Sequence, residues 1–160
     1  MKQNAQMDSE YLLWLSLIRT SDIIHRARDK ELSKYGVSAR QAAVLYTVTN
    51  LGDDATVGNI SKWLFRRPQT VTSILNRMEK ARYIKKIRDK RNKSIVRVTI
   101  TKKGQEVYAV STERTSIKNI MSALSDNETK ALKKLLIKLR DRALEEIREN
   151  PEDMFNGAYL

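Results

Sequence analysis

The residues with chemistry to offer are bunched in one place. In the stretch KKIRDKRNKS, Lys85, Lys86, Arg88, Lys90, Arg91 and Lys93 surround a lone acid, Asp89, with Arg82 just upstream. Ammonium and guanidinium groups at this density attract polyanions and break no bonds by themselves. Catalytic candidates are scarce. The chain has one histidine, His25, and no cysteine. That composition excludes a disulfide framework, a cysteine-based zinc site, an iron–sulfur cluster, a thiol redox switch and a multi-histidine metal site. A nuclease would need clustered acids or a nucleophile with its base. The adjacent Asp53 and Asp54 in GDDA read as a turn and helix-start feature instead. No metal, no cofactor and no enzymatic activity are expected.

The formal net charge is +12, and its distribution says more than its size. Residues 35–104 carry 16 basic and 4 acidic side chains, whereas residues 1–34 carry 6 and 5 and residues 105–160 carry 9 and 10. The excess therefore belongs to the centre. This looks like an electrostatic footprint on a folded unit and points to a polyanion as partner, expected below to be double-stranded DNA; a histone-like arm would place its cations at one end. No apolar run approaches the roughly 20 residues that cross a bilayer; YLLWLSLI is too short and lacks the flanks of a signal peptide. A cytoplasmic location with no membrane partner is expected.

Elements that position the basic stretch can be read from caps and periods. Ser9 is expected to cap a helix running to about Lys34, and Gly36 to stop it. Ser38 with Gln41 forms a capping box for a short helix, Thr56 caps another, and Pro68 opens a third, PQTVTSILNRMEKA. Three short helices with brief connections make a helix-turn-helix-sized unit. In the third, Val71, Ile74, Leu75 and Met78 recur at helical spacing as one buried stripe, leaving Gln69, Thr72, Ser73, Asn76 and Lys80 outside. Such a face is often merely solvated. Its uncharged donors and acceptors, flanked by Arg66, Arg67 and Arg77, are also what a major-groove reader needs. After this helix the period shifts toward 2: YIKKIR and IVRVTI read as strands joined by the polar turn DKRNKS, which makes the basic stretch a hairpin. Thr101 is expected to cap one long helix over residues 102–124. Ser125 with Glu128 then caps the last helix, whose Leu132, Leu135, Leu136, Leu139, Ala143 and Ile147 share a face.

Helix, helix, reading helix and basic hairpin is the order of a winged helix-turn-helix, here held between long terminal helices. The fold class expected is mainly α with a small β-hairpin wing (α+β). Its helix would take the major groove and its wing the minor groove. The chain resembles the MarR family of transcriptional regulators over nearly its whole length. DKRNKSIVRVTITKKG is similar to the family's wing signature, with Asp89, Arg91, Ile100, Thr101 and Gly104 at its positions; TVTSILNRMEKARYI matches the reading helix and its link at Thr70, Val71, Arg77, Glu79 and Ile84. Two departures stand out. Phe65, Arg66 and Arg67 replace a glycine followed by serine or aspartate, and Ala81, Arg82 and Tyr83 replace a link that usually contains glycine.

The resemblance implies a division into residues 1–34 (dimerisation), 35–104 (DNA binding) and 105–160 (dimerisation). It implies DNA contacts from Arg66, Arg67, Pro68, Gln69, Thr70, Thr72, Ser73, Asn76 and Arg77 on the reading helix, and from Arg88, Asp89, Lys90, Arg91 and Lys93 on the wing. Arg91 would enter the minor groove with Asp89 as its brace. A homodimer would bind a pseudo-palindromic operator as a repressor, released by a small anionic or phenolic effector in a cleft near Trp14 and His25. An ordinary surface or interface role for those two residues stays open beside this. The first helix independently calls for a second copy: Tyr11, Leu12, Trp14, Leu15 and Ile18 leave it apolar almost all round, and a chain this short has little to cover it. With Leu132, Leu136, Leu139 and Ile147 these residues form the expected dimer interface. The rival reading is a sequence-nonspecific architectural DNA-binding protein, which would have no use for the uncharged reading face.

Overall fold

A computed structural model describes residues 8–89, 92 and 95–147. Helix α1 (Ser9–Ser33) starts one residue earlier than a Ser9 cap allows: the cap is Asp8, whose carboxylate accepts from the Tyr11 N–H at 2.7 Å. Ser9 lies inside the helix and its hydroxyl donates to Glu10. An aspartate both accepts this bond and complements the helix dipole, so it outcompetes the serine. Gly36, at φ +68°, ends the segment.

The winged unit follows, with α2 (Ala39–Leu51), α3 (Val57–Leu64) and α4 (Pro68–Lys80). Ser38 and Gln41 close both bonds of the capping box, Thr56 accepts from the Asn59 N–H, and Pro68 occupies the first turn of α4. Strands β1 (Ile84–Arg88) and β2 (Val96–Ile100) pair antiparallel, Ile84 opposite Ile100 and Arg88 opposite Val96. The Val98 N–H reaches back to the Ala55 carbonyl at 2.7 Å, so the entry to α3 is stitched to the wing. Val44, Leu45, Ile60, Val71, Leu75, Met78, Ile84 and Val98 form one core drawn from every element of the unit.

The helix expected over residues 102–124 is two helices, α5 (Lys102–Ser111) and α6 (Thr115–Met121), separated at Arg114, which takes a left-handed φ of +52°. The cause is remote in sequence. Glu31 of α1 caps α6 from outside, accepting from the Thr115 N–H at 2.9 Å, the Ser116 N–H at 3.1 Å and the Ser116 hydroxyl. Helix α7 (Asp126–Glu146) begins with the expected Ser125–Glu128 capping box. Its apolar stripe is left bare: Leu132, Leu135, Leu136, Leu139 and Ile147 are all exposed.

Candidate nucleic-acid interface

The inner and outer faces of α4 divide as its period dictates. Val71, Ile74, Leu75 and Met78 are buried, while Arg66, Arg67, Pro68, Gln69, Thr70, Thr72, Ser73, Asn76 and Arg77 are exposed. Pro68, Gln69, Thr72, Ser73, Asn76 and Arg77 line a shallow groove open to solvent. The exposed row is amide, hydroxyl, hydroxyl, amide, with a cation at either end: base-edge chemistry in the middle and phosphate chemistry at the margins.

Glu79 joins this helix to the wing. Its carboxylate accepts from the Lys86 N–H at 3.1 Å and pairs with Lys86 Nζ at 2.8 Å. The bond from Lys86 holds the Glu79 carboxyl below the ordinary carboxylate range, against the opposing effect of desolvation. Lys86 Nζ also donates to Asn76 Oδ1 at 2.7 Å, so a strand residue touches the reading face directly. A second anchor fixes the wing's other strand. Asp89 accepts from Arg97 Nε at 2.7 Å and from the Asn92 N–H at 3.0 Å, and Arg97 Nη1 donates to the Asp53 carbonyl. The lone acid of the basic stretch thus secures Arg97. Arg91, which Asp89 was expected to brace, lies outside the described residues with Lys90 and Lys93; Arg88 is exposed at the end of β1. Arg97 was missed because its two partners are 8 and 44 residues away.

The Thr-x-x-Gly part of the wing signature is a packing device. The Thr101 hydroxyl donates to the Arg82 carbonyl at 2.6 Å and accepts from the Gly104 N–H, while the Thr101 N–H bonds the Tyr83 carbonyl. A Cβ on Gly104 would lie 2.0 Å from the Tyr83 carbonyl oxygen. Only glycine lets α5 seat against the link between α4 and β1. The two departures from the family pattern acquire a physical meaning as well. Phe65 and Arg82 both adopt left-handed backbone, φ +52° and +62°, where a non-glycine residue costs about 1–2 kcal/mol. The Arg82 and Tyr83 N–H groups close the end of α4 on the carbonyls of Glu79 and Met78, the arrangement in which glycine is usual. At the first departure, α4 has no side-chain cap at Arg67.

Beside the winged unit, a cleft of about 480 Å³ opens between α1, α2, α5 and α6. Arg28 and Arg114 bring its positive groups, His25 an imidazole, Tyr46 and Tyr108 its phenols, and Ile24, Ala42, Ala43 and Ile117 apolar walls. Arg114 stacks over the Tyr46 ring, 5.3 Å from its centroid. Arg28, 9% exposed, is pinned by Glu31 at 2.6 Å and by the Ser111 carbonyl. Desolvation pushes the Glu31 carboxyl upward, but hydrogen bonds from Ser116 and Arg28 outweigh it and hold the pKa at about 2. His25 lines this cleft and Trp14 does not. Trp14 sits eleven residues earlier on α1, about 16 Å along the axis. It stacks on Tyr11 with ring centroids 5.3 Å apart and is half exposed. Helical spacing gave no hint of Arg114 or the two tyrosines, because the cleft is assembled from distant segments.

The residues expected at a dimer interface cluster on the two terminal helices. Leu15 is half-buried; Tyr11, Leu12, Trp14, Ile18, Leu132, Leu136, Leu139 and Ile147 are exposed. Among the described residues no group of three metal-ligating side chains occurs, and no helix is long and apolar enough to cross a membrane.

Residues 35–93 match the model of the MarR family. The HTH-type transcriptional regulator PecS of Dickeya dadantii is 29% identical over 139 residues, covering 84% of each chain. The transcriptional activatory protein BadR of Rhodopseudomonas palustris is 25% identical over 109 residues, 67% of this chain; the match spans only 62% of BadR's length. Among solved structures, the organohalide-sensing regulator RdhR-CbdbA1625 bound to 2,4-dichlorophenol superposes with a TM-score of 0.88 at 25% identity, over 100% of this chain and 96% of the other.

Proposed function

We propose that the chain is a MarR-family transcriptional regulator, the family whose model matches residues 35–93, and that it acts as a homodimeric repressor on a pseudo-palindromic operator. Each protomer sets α4 into a major groove and its wing against the neighbouring minor groove. One observation carries this reading: the exposed, uncharged row Gln69, Thr72, Ser73 and Asn76, flanked by arginines and backed by a buried stripe. A protein that only neutralised phosphates would gain nothing from that row. The second copy covers the bare leucines of α7 and the apolar start of α1, so the half-site spacing is set by the packing of the terminal helices.

The cleft supplies regulation. Its positive groups and its apolar and phenolic walls suit a small anionic or phenolic effector, and the dichlorophenol bound by RdhR supports the phenolic class. The cleft's lining comes from α1, α2, α5 and α6. A ligand that favours one separation of these helices favours one spacing of the two winged units, and so changes operator affinity. Repression fits release by such a ligand; BadR is named as an activator, and a reporter fused to the selected operator reads the sign.

Selection from a random DNA pool tests the proposal. An enriched inverted repeat, protected in a footprint at two half-sites about one helical turn apart, is the expected result. Uniform protection without a preferred sequence would show an architectural DNA-binding protein instead. Arg91→Ala should weaken binding to all sequences and reduce the salt slope by about one charge per wing.

A further inference from the structure

The bond between the wing and the reading helix has a consequence for which base pair the helix can read. A lysine ammonium only donates hydrogen bonds. Because Lys86 Nζ lies 2.7 Å from Asn76 Oδ1, the amide's orientation is decided: its oxygen faces the lysine and its Nδ2 hydrogens face away. No described residue takes those hydrogens, and Asn76 is exposed on the outer face of α4. Glu79 favours this placement of Lys86, bonding both its backbone N–H and its ammonium.

An asparagine that reads adenine uses both ends of its amide, accepting from N6 and donating to N7. Oδ1 keeps a second lone pair, but the ammonium 2.7 Å away repels a further donor such as adenine N6–H, so the accepting half is weakened. What remains at full strength is a donor from Asn76 beside the donors of Lys86. A pair of neighbouring donors matches the one base that offers two acceptors side by side in the major groove, guanine with O6 and N7. We infer that Lys86, paired with Glu79, biases Asn76 toward donating and makes it favour a G·C pair where a free asparagine would select adenine. The inference rests on the proposed placement of α4 in the major groove. It assigns specificity to a strand residue whose charge would otherwise be counted as phosphate affinity.

The test compares sequences selected from a random DNA pool by full-length wild type, Asn76→Ala and Lys86→Leu, each at matched fractional binding so that affinity differences do not enter. Asn76→Ala identifies the position that Asn76 reads, as the one whose preference collapses. At that position wild type should favour guanine over adenine about tenfold, one hydrogen bond's discrimination. Lys86→Leu should reverse the order toward adenine. Glu79→Gln keeps an acceptor for the Lys86 N–H but loosens the ammonium, and should fall between the two. Adenine preferred by wild type, an unchanged preference in Lys86→Leu, or no position responding to Asn76→Ala would each overturn the inference while the operator reading stood. No enriched sequence for wild type would remove the operator reading itself.

Discussion

The winged unit and the terminal helices solve the same problem in opposite ways. Between residues 35 and 104 the chain builds most of its core: Val44, Leu45, Ile60, Val71, Leu75 and Met78 are buried together, with Val107 and Tyr108 of α5 packed against them. Along α1 and α7 the apolar side chains have no such enclosure. Leu13 is 58% exposed and Leu135 57%, although both helices are well capped and one is 25 residues long. A helix can therefore form from local signals while its burial is deferred to another molecule. The difference separates two tasks. On the proposed function, the unit that reads DNA builds its core within one chain, and the surface that would set the distance between two such units is left to association.

Breaking each region in turn should give different failures. The largest effect is expected from Leu12→Asp combined with Leu136→Asp, which places charge on the bare faces. Sedimentation should show a monomer with its helical circular dichroism retained, and operator affinity should fall about a thousandfold, the loss of linked half-sites. Gly104→Ala attacks the other region. Its Cβ would meet the Tyr83 carbonyl oxygen, so stability should drop by about 3 kcal/mol, the upper range for overpacking. That corresponds to roughly 9 °C in Tm, while the protein remains a dimer at temperatures where it is folded.

The contact between α1 and α6, within the terminal helices, should respond to pH. The Glu31 carboxyl is lowered from 4.5 to about 2 by its bonds to Ser116 and Arg28. A depressed carboxyl contributes stability above its unfolded pKa and loses it as pH falls through the folded one. The gap in denaturation free energy between wild type and Glu31→Gln should therefore be about 2 kcal/mol at pH 7, shrink below pH 4.5 and close near pH 2. A constant gap would show that Glu31 acts by shape alone. The smallest effect is a gain: Arg82→Gly relieves left-handed backbone and should stabilise the winged unit by about 1 kcal/mol, raising Tm by roughly 3 °C.

What could be read from the chain follows from the reach of each interaction. The Ser38–Gln41 and Ser125–Glu128 boxes, the Thr56 and Thr101 caps and the two faces of α4 depend on residues within four or seven positions, so their pattern is visible in sequence. The start of α1 shows the limit of even local signals, since Asp8 and Ser9 are both good caps and the carboxylate wins. The break at Arg114 was not legible, because the carboxylate that caps α6 comes from Glu31, more than eighty residues earlier. The same holds for the site. The reading row of α4 was visible as leftover polarity, and the wing as a change of period. The Lys86–Asn76 bond and the cleft around Arg114 depend on segments that only the fold brings together. The bare leucines on α1 and α7 were legible because their spacing is set along single helices.

The account stands most directly on the mass of the complex formed with the selected operator. Native mass spectrometry or light scattering at increasing protein should reach a plateau at two chains per inverted repeat, with the isolated half-site bound far more weakly. One chain bound as tightly to a half-site as to the whole repeat, or stoichiometry that keeps rising with duplex length, would contradict it.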